Sequence, residues 1–149
     1  MKELICMVGL PRSGKSTEAK KLGYPIVSPD AIRLALYGKP YITEAEGMVW
    51  TIADYMVRSL FLAGHDKVII DATNTTKVRR DRWQDDSWKT NFIVVNTPLD
   101  ICLQRAKEAN FPQEVIQRMY DNRELVEDLE YDGDLTVIKY VESALDKSE

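Results

Sequence analysis

The stretch of this chain best equipped for chemistry is Gly9-Leu-Pro-Arg-Ser-Gly14-Lys15-Ser16, which matches G-x-x-x-x-G-K-[ST] in full. At average residue usage the pattern arises by chance in roughly one chain in 200 of this length. Gly9 and Gly14 keep side chains away where backbone must wrap an anion. The N–H groups of the loop, with the helix start behind them, form a nest for a phosphate. Lys15 supplies a mobile positive charge between β- and γ-phosphates, and the Ser16 hydroxyl is an expected Mg2+ ligand. The expected ligand is therefore ATP with Mg2+, held by Gly9, Leu10, Pro11, Arg12, Ser13, Gly14, Lys15, Ser16 and Thr17. The alternative is a glycine-containing turn that binds nothing.

Two carboxylates fall where they can serve that ligand. Asp30 stands in the first turn of a helix capped by Ser28, with Arg33 three residues on and on the same face. It is either a base for an acceptor hydroxyl, charged by the helix start, or a routine helix-start acid in an ion pair. Arg33 would then hold an anionic part of the acceptor. Asp71 closes an apolar strand, from where it can reach Mg2+ directly or through water, or cap the following loop. Thr73 and Asn74 follow at the rim and either position an acceptor or cap the next helix, Asn74 reading rather as the cap. Lys77, Arg79, Arg80 and Arg82 crowd two helical turns, with Asp81, Asp85 and Asp86 close enough to neutralise them. Trp83 and Trp88 read as packing residues, with base stacking as the other use.

The elements that would position these groups alternate. Leu4–Val8, Tyr24–Val27, Lys67–Asp71 and Asn91–Val95 read as buried strands, and Leu135–Tyr140 as a possible fifth. Helices are expected from Thr17 to Leu22, from Pro29 to about Gly38, behind a capping box of Thr43 and Glu46, over about 75 to 87, from Pro98 to Glu108 and from Pro112 to about Asp128. In the third of these, Val49, Ile52, Ala53, Met56, Val57, Leu60 and Phe61 share one face and read as core. Strands alternating with helices imply a parallel sheet covered on both faces, with ligands beyond the C-terminal strand ends. Gly9, Asp30 and Asp71 all map there.

Composition sets the outer bounds. The 149 residues fit one domain, 1–149, with an ordinary hydrophobic fraction of 44%. Cys6 and Cys102 sit apart in apolar surroundings and read as reduced, as in a cytoplasmic protein. No segment is apolar enough to span a membrane. A net charge of -4 argues against broad coating of nucleic acid but leaves room for a local basic groove. The acids from Glu124 to Asp134 read as solvated surface, and the tail from Ser143 as a helical or frayed end.

Several segments in order resemble the kinase domain of the phage polynucleotide kinases and their AAA-type P-loop relatives, the group that includes the zeta toxins. These are Gly9 to Thr17, Ser28-Pro-Asp-Ala-Ile-Arg33, Val68-Ile-Ile-Asp-Ala-Thr-Asn74, Arg79-Arg80-Asp-Arg-Trp83 and Val115-Ile-Gln-Arg-Met-Tyr120. The resemblance implies a P-loop NTPase three-layer α/β sandwich, with a mostly parallel sheet of about five strands and a helical lid. It implies that Asp30 is general base on a 5′-hydroxyl, that Arg33 contacts an acceptor phosphate, and that Arg79 or Arg80 lines an acceptor groove. It places Arg105 as the lid arginine that neutralises transition-state charge. Where a further basic residue usually follows, this chain has Glu108 and Ala109, with Lys107 and Arg118 as substitutes. Some phage kinases carry the strand-end acid one position later, where this chain has Ala72.

The expected activity is transfer of the ATP γ-phosphate to the 5′-hydroxyl of RNA or DNA. One alternative keeps the chemistry with a nucleoside, nucleotide or small metabolite as acceptor. Another is an ATPase or nucleotide-binding module working through a partner protein.

Overall fold

The computed structural model describes residues 1–39, 43–127 and 133–140. Its centre is a five-stranded sheet: β1 (Glu3–Val8), β2 (Ile26–Val27), β3 (Lys67–Ile70), β4 (Lys89–Asn96) and β5 (Leu135–Lys139), in the order β2-β3-β1-β4-β5. Every described pairing is parallel, with Leu4 opposite Val68 on one side and Thr90 on the other. Among the described residues six α-helices accompany the strands: α1 (Lys15–Lys21), α2 (Pro29–Tyr37), α3 (Glu46–Leu62), α4 (Lys77–Asp81), α5 (Leu99–Glu108) and α6 (Gln113–Asp121).

The unbroken apolar run of β1 follows from burial on both faces. Leu4, Cys6 and Val8 point into one cluster with Val27, Ile32, Val49, Val57, Val68, Ile70 and Phe92. Ile5 and Met7 point to the other face, against Ala19, Ile69 and Val95. A third cluster joins α5 and α6 to the phosphate loop through Leu10, Cys102, Ala106 and Ile116. Each fully buried Ile or Val in these clusters contributes roughly 1.5–3 kcal/mol. Both cysteines are free and buried, as read.

Helix starts were legible where the cap is local. Ser28 accepts a hydrogen bond from Ala31 N–H at 3.1 Å, and Pro29 opens α2, which ends at Gly38 in a left-handed conformation. The capping box expected from Thr43 is corrected. A 3-10 turn fills Thr43–Ala45, Ala45 stands at the α3 start, and Glu46 pairs elsewhere. Trp50 joins the expected core face of α3, while Met56 is partly exposed. The helix expected over 75 to 87 shrinks to α4. Trp83 packs fully buried, and its carbonyl accepts from Trp88 Nε1 and Thr90 Oγ1, each at 2.9 Å, which halts the helix. The last expected helix ends at Asp121. Asp128, the middle of the acidic stretch and the tail from Ser143 lie outside the described residues.

Arg58 pairs with Asp54 one turn back on α3 at 3.1 Å and ties the helix to the loop after α4 through Asp85 at 2.7 Å. The Arg58 hydrogen bond, helped by Ser87 N–H, pulls the Asp85 carboxyl from 3.8 to about 2. The depressed folded value means this contribution is complete above about pH 4 and is lost as pH falls toward 2. For so exposed a pair it is worth at most about 1 kcal/mol. Acid titration followed by circular dichroism should show wild type losing slightly more stability than Asp85→Asn across that window.

Candidate active site

The phosphate loop is fixed from below by β1 and from the side by two neighbours. Gly9 N–H donates to the Thr73 carbonyl at 3.0 Å, and Thr97 Oγ1 donates to the Ser13 carbonyl at 2.6 Å. A Cβ added at Gly9 would meet Ser13 Oγ at 2.9 Å and the Val95 carbonyl at 3.0 Å, so the turn admits only glycine without movement. Gly14 has φ 96 and stands before α1 with no side-chain cap, which leaves the first amides of α1 for an anion. Ser13 Oγ is buried with no hydrogen-bond partner among the described residues.

Lys15 Nζ folds back on the Leu10 carbonyl at 3.1 Å. Burial lowers its pKa from 10.5, while Asp71 and Asp30 pull the other way. Both carboxylates are therefore within electrostatic reach of the one ammonium. Ser16 Oγ donates to Asp71 Oδ2 at 2.7 Å, so the two expected Mg2+ ligands already touch. A hydroxyl beside one carboxylate suits Mg2+, which takes few protein ligands and fills its octahedron with phosphate oxygens and water. No cluster of three or more His, Cys, Asp or Glu ligands exists among the described residues.

Asn74 departs from its expected role. It is buried, adopts φ 47, and donates from Nδ2 to the Met7 carbonyl at 2.8 Å, strapping the loop after β3 to β1. The residue before α4 is Thr76, and it makes no side-chain cap. Arg80, expected with Arg79 along an acceptor groove, is 1% exposed and donates to the Asn74 carbonyl at 3.1 Å. Arg80 thus supports the strap from inside. Removing a charged hydrogen-bonding group from such a place costs about 2 kcal/mol. Urea unfolding should show Arg80→Ala destabilised by about that much and Arg79→Ala by less than about 0.5 kcal/mol, since Arg79 is exposed.

Asp30 is exposed at the rim, 2.7 Å from Arg33 Nη1. Arg33 also donates through Nε and Nη2 to Glu46, at 2.7 and 2.6 Å. Burial opposes the Arg33 charge, but Glu46 and Asp30 outweigh it and raise its pKa. The Arg33, Arg79 and Arg82 guanidinium carbons stand 5.8, 4.9 and 5.6 Å from the centre of the Trp50 ring. Neither Arg82 nor Trp50 was singled out from sequence as a member of the site. Their only signal is the i,i+3 spacing of Arg79 and Arg82, since Trp50 comes from a distant helix.

On the other side of the loop, Arg105 Nη1 reaches the Arg12 carbonyl at 3.3 Å, and its guanidinium carbon stands 5.9 Å from the Tyr140 ring centre. A hollow of about 480 Å3 opens there, lined among others by Ser13, Gly14, Thr17, Arg105, Lys139 and Tyr140. It adjoins the phosphate loop through Ser13, Gly14 and Thr17. A larger hollow of about 650 Å3, bounded by Tyr24, His65 and Lys67, lies at the opposite ends of the strands, away from these groups. Lys107 and Arg118 are both exposed on α5 and α6. Trp83 and Trp88 are packed inside, as read.

A Walker-type loop at the C-terminal edge of a parallel sheet, with a strand-end acid against its serine, defines a P-loop NTPase of the kinase class. The chain belongs to the AAA domain family, whose model matches residues 4–126. It is 24% identical over 154 aligned positions to a protein of Autographa californica nuclear polyhedrosis virus named as a bifunctional polynucleotide kinase/RNA ligase. That alignment covers 87% of this chain but only 22% of the viral protein. Among solved structures, a chain of the Pnkp1/Rnl/Hen1 RNA repair complex matches with TM-score 0.69 at 19% identity, over 80% of this chain and 43% of that one. A gluconokinase from Sinorhizobium meliloti 1021 matches with TM-score 0.64 at 16% identity, over 95% of this chain and 84% of that one. At these identities both structural likenesses concern the fold.

Proposed function

We propose that this chain is a polynucleotide 5′-hydroxyl kinase domain, occupying 1–149 and transferring the ATP γ-phosphate to RNA or DNA ends. The observation that carries the proposal is geometric: Asp71 accepts from the Ser16 hydroxyl at 2.7 Å beside the phosphate loop, while Asp30 stands exposed at the rim, 2.7 Å from Arg33 Nη1. Lys15 and the loop amides hold the β- and γ-phosphates. Asp30 accepts the proton of the acceptor hydroxyl as its oxygen bonds to the γ-phosphorus. The bond from that phosphorus to the β,γ-bridging oxygen breaks, and ADP leaves with the electron pair. Ser16 and Asp71 would hold Mg2+, which supplies charge neutralisation for the transferring group. Arg105 adds positive charge from the lid side, and Thr73 and Arg79 border the acceptor. The two free, buried cysteines suit a cytoplasmic setting, and no helix among the described residues is long and apolar enough to cross a membrane.

Net charge of -4 favours a second reading, in which the acceptor is a small metabolite. Incubation with γ-labelled ATP and Mg2+ against 5′-hydroxyl oligonucleotides, nucleosides and sugars decides between them. Label on the oligonucleotide is the expected result. Label confined to a small metabolite rejects the polynucleotide assignment.

A further inference from the structure

We propose that Glu124, which lies beyond the last helix, is a positioning residue for the acceptor side of the site, holding the turn from Thr73 to Lys77 in place; this rests on the phosphotransfer reading above. Sequence places Glu124 among solvated acids, but the structure gives it two bonds to a distant part of the chain. Its N–H donates to the Thr75 carbonyl at 2.8 Å, and its Oε1 accepts from the Lys77 N–H at 3.2 Å. Val126, two residues on, packs against the main core cluster and seats the segment.

The turn needs this support because α4 cannot supply its own. The helix has five residues, too few to persist unaided. Thr76 at its start makes no side-chain cap, and no acid stands in its first turn. Its ion pair sets Lys77 at the start and Asp81 at the end, against the helix dipole. The orphan N–H of Lys77 and the missing negative charge are both met by Glu124, 47 positions away. What is held this way is one wall of the site. Thr75 follows Thr73, whose carbonyl takes the Gly9 N–H, and Asn74, which straps the turn to Met7. Arg80 pins α4 from inside through the Asn74 carbonyl, and Glu124 pins its start from outside. Upstream, Glu124 stands three residues after α6, which packs on the phosphate loop through Ile116 and Leu10. The segment therefore fastens the α5–α6 side of the loop to its acceptor side. Without the Glu124 carboxylate the phosphate loop keeps its ties to Thr73 and Thr97, while the start of α4 loosens.

The test compares the full wild-type chain with Glu124→Ala and Glu124→Gln by two measurements. Hydrogen–deuterium exchange over residues 71–81 reads the turn itself. The alanine variant should exchange there about fivefold faster, the worth of a lost helix cap, while residues 4–17 exchange as in wild type. Glutamine keeps an oxygen for the Lys77 N–H and should restore most of the protection. Steady-state kinetics with the acceptor that takes most label reads the role. The alanine variant should raise the acceptor KM about fivefold and leave kcat and the KM for ATP within about twofold. Glutamine should return the acceptor KM toward wild type. Wild-type exchange over 71–81 in the alanine variant overturns the proposal. So does faster exchange with an unchanged acceptor KM, which makes Glu124 a structural cap alone. An equal rise in both KM values overturns it too, as a general loosening. If wild type labels no acceptor, the kinase reading falls instead, and exchange alone decides whether Glu124 holds the turn.

Discussion

Lys15→Ala lowers kcat/KM for phosphoryl transfer by about 10³-fold, whatever the acceptor. Loss of one preorganised positive group at a developing phosphoryl charge costs on this order. The position has no understudy on the loop: Arg12 points outward, 5.5 Å from the Phe111 ring centre, and Lys20 and Lys21 lie at the far end of α1. The ammonium already sits desolvated between the Leu10 carbonyl and the fields of Asp71 and Asp30. Removing it therefore leaves the two carboxylates facing the polyphosphate unscreened. Lys15→Arg should not rescue, because a planar fork cannot take the place of a compact point charge in this turn. Burial lowers the Lys15 pKa from 10.5, so its charge is lost earlier than that of a free lysine. The alkaline limb of the rate profile should accordingly fall below 10.5. Single-turnover assays with labelled ATP measure all three effects, and a Lys15→Ala protein retaining a tenth of wild-type transfer would contradict the phosphate-loop reading.

Asp30→Ala is the second large effect, and it should separate binding from chemistry. A positioned general base contributes typically 10²–10⁴-fold, so kcat should fall by about that factor. The KM for ATP should stay within about twofold, because Asp30 contributes no atom to the phosphate loop. Stability should move by less than about 0.5 kcal/mol, since the side chain is 79% exposed and Arg33 keeps its Glu46 partner. Steady-state kinetics with both substrates varied gives the answer, and near-wild-type turnover would remove Asp30 from the chemical step.

The parts of this molecule legible in its sequence are those set by near neighbours. The β1 run, the glycine spacing of the phosphate loop and the Ser28-Pro29 helix start each declare themselves within a few residues. Asp71 at a strand end beside Ser16 also emerged as expected, because strand ends are readable. What escaped depends on pairings across the chain. Glu46 has the spacing of a capping-box acid, yet its carboxylate goes to Arg33 on α2. Arg80 is one of four basic residues in a polar stretch, and nothing local says that it alone turns inward to Asn74. The shortness of α4 comes from Trp83, whose burial and double use as an acceptor require β4 to be present. Charge pairing misled for the same reason: Asp85 is near Arg82 in sequence but bonds Arg58, 27 positions away.

The strand order carries a consequence for synthesis. β1 lies between β3 and β4, so residue 4 waits for residues 68 and 90 before either flank exists. The ties on Gly9 and Ser13 likewise come from Thr73 and Thr97. The nucleotide-binding turn is thus translated well before the residues that complete it. On a ribosome it should acquire affinity for ATP abruptly, once β4 and Thr97 have emerged, and a nascent chain stalled before that point should bind none.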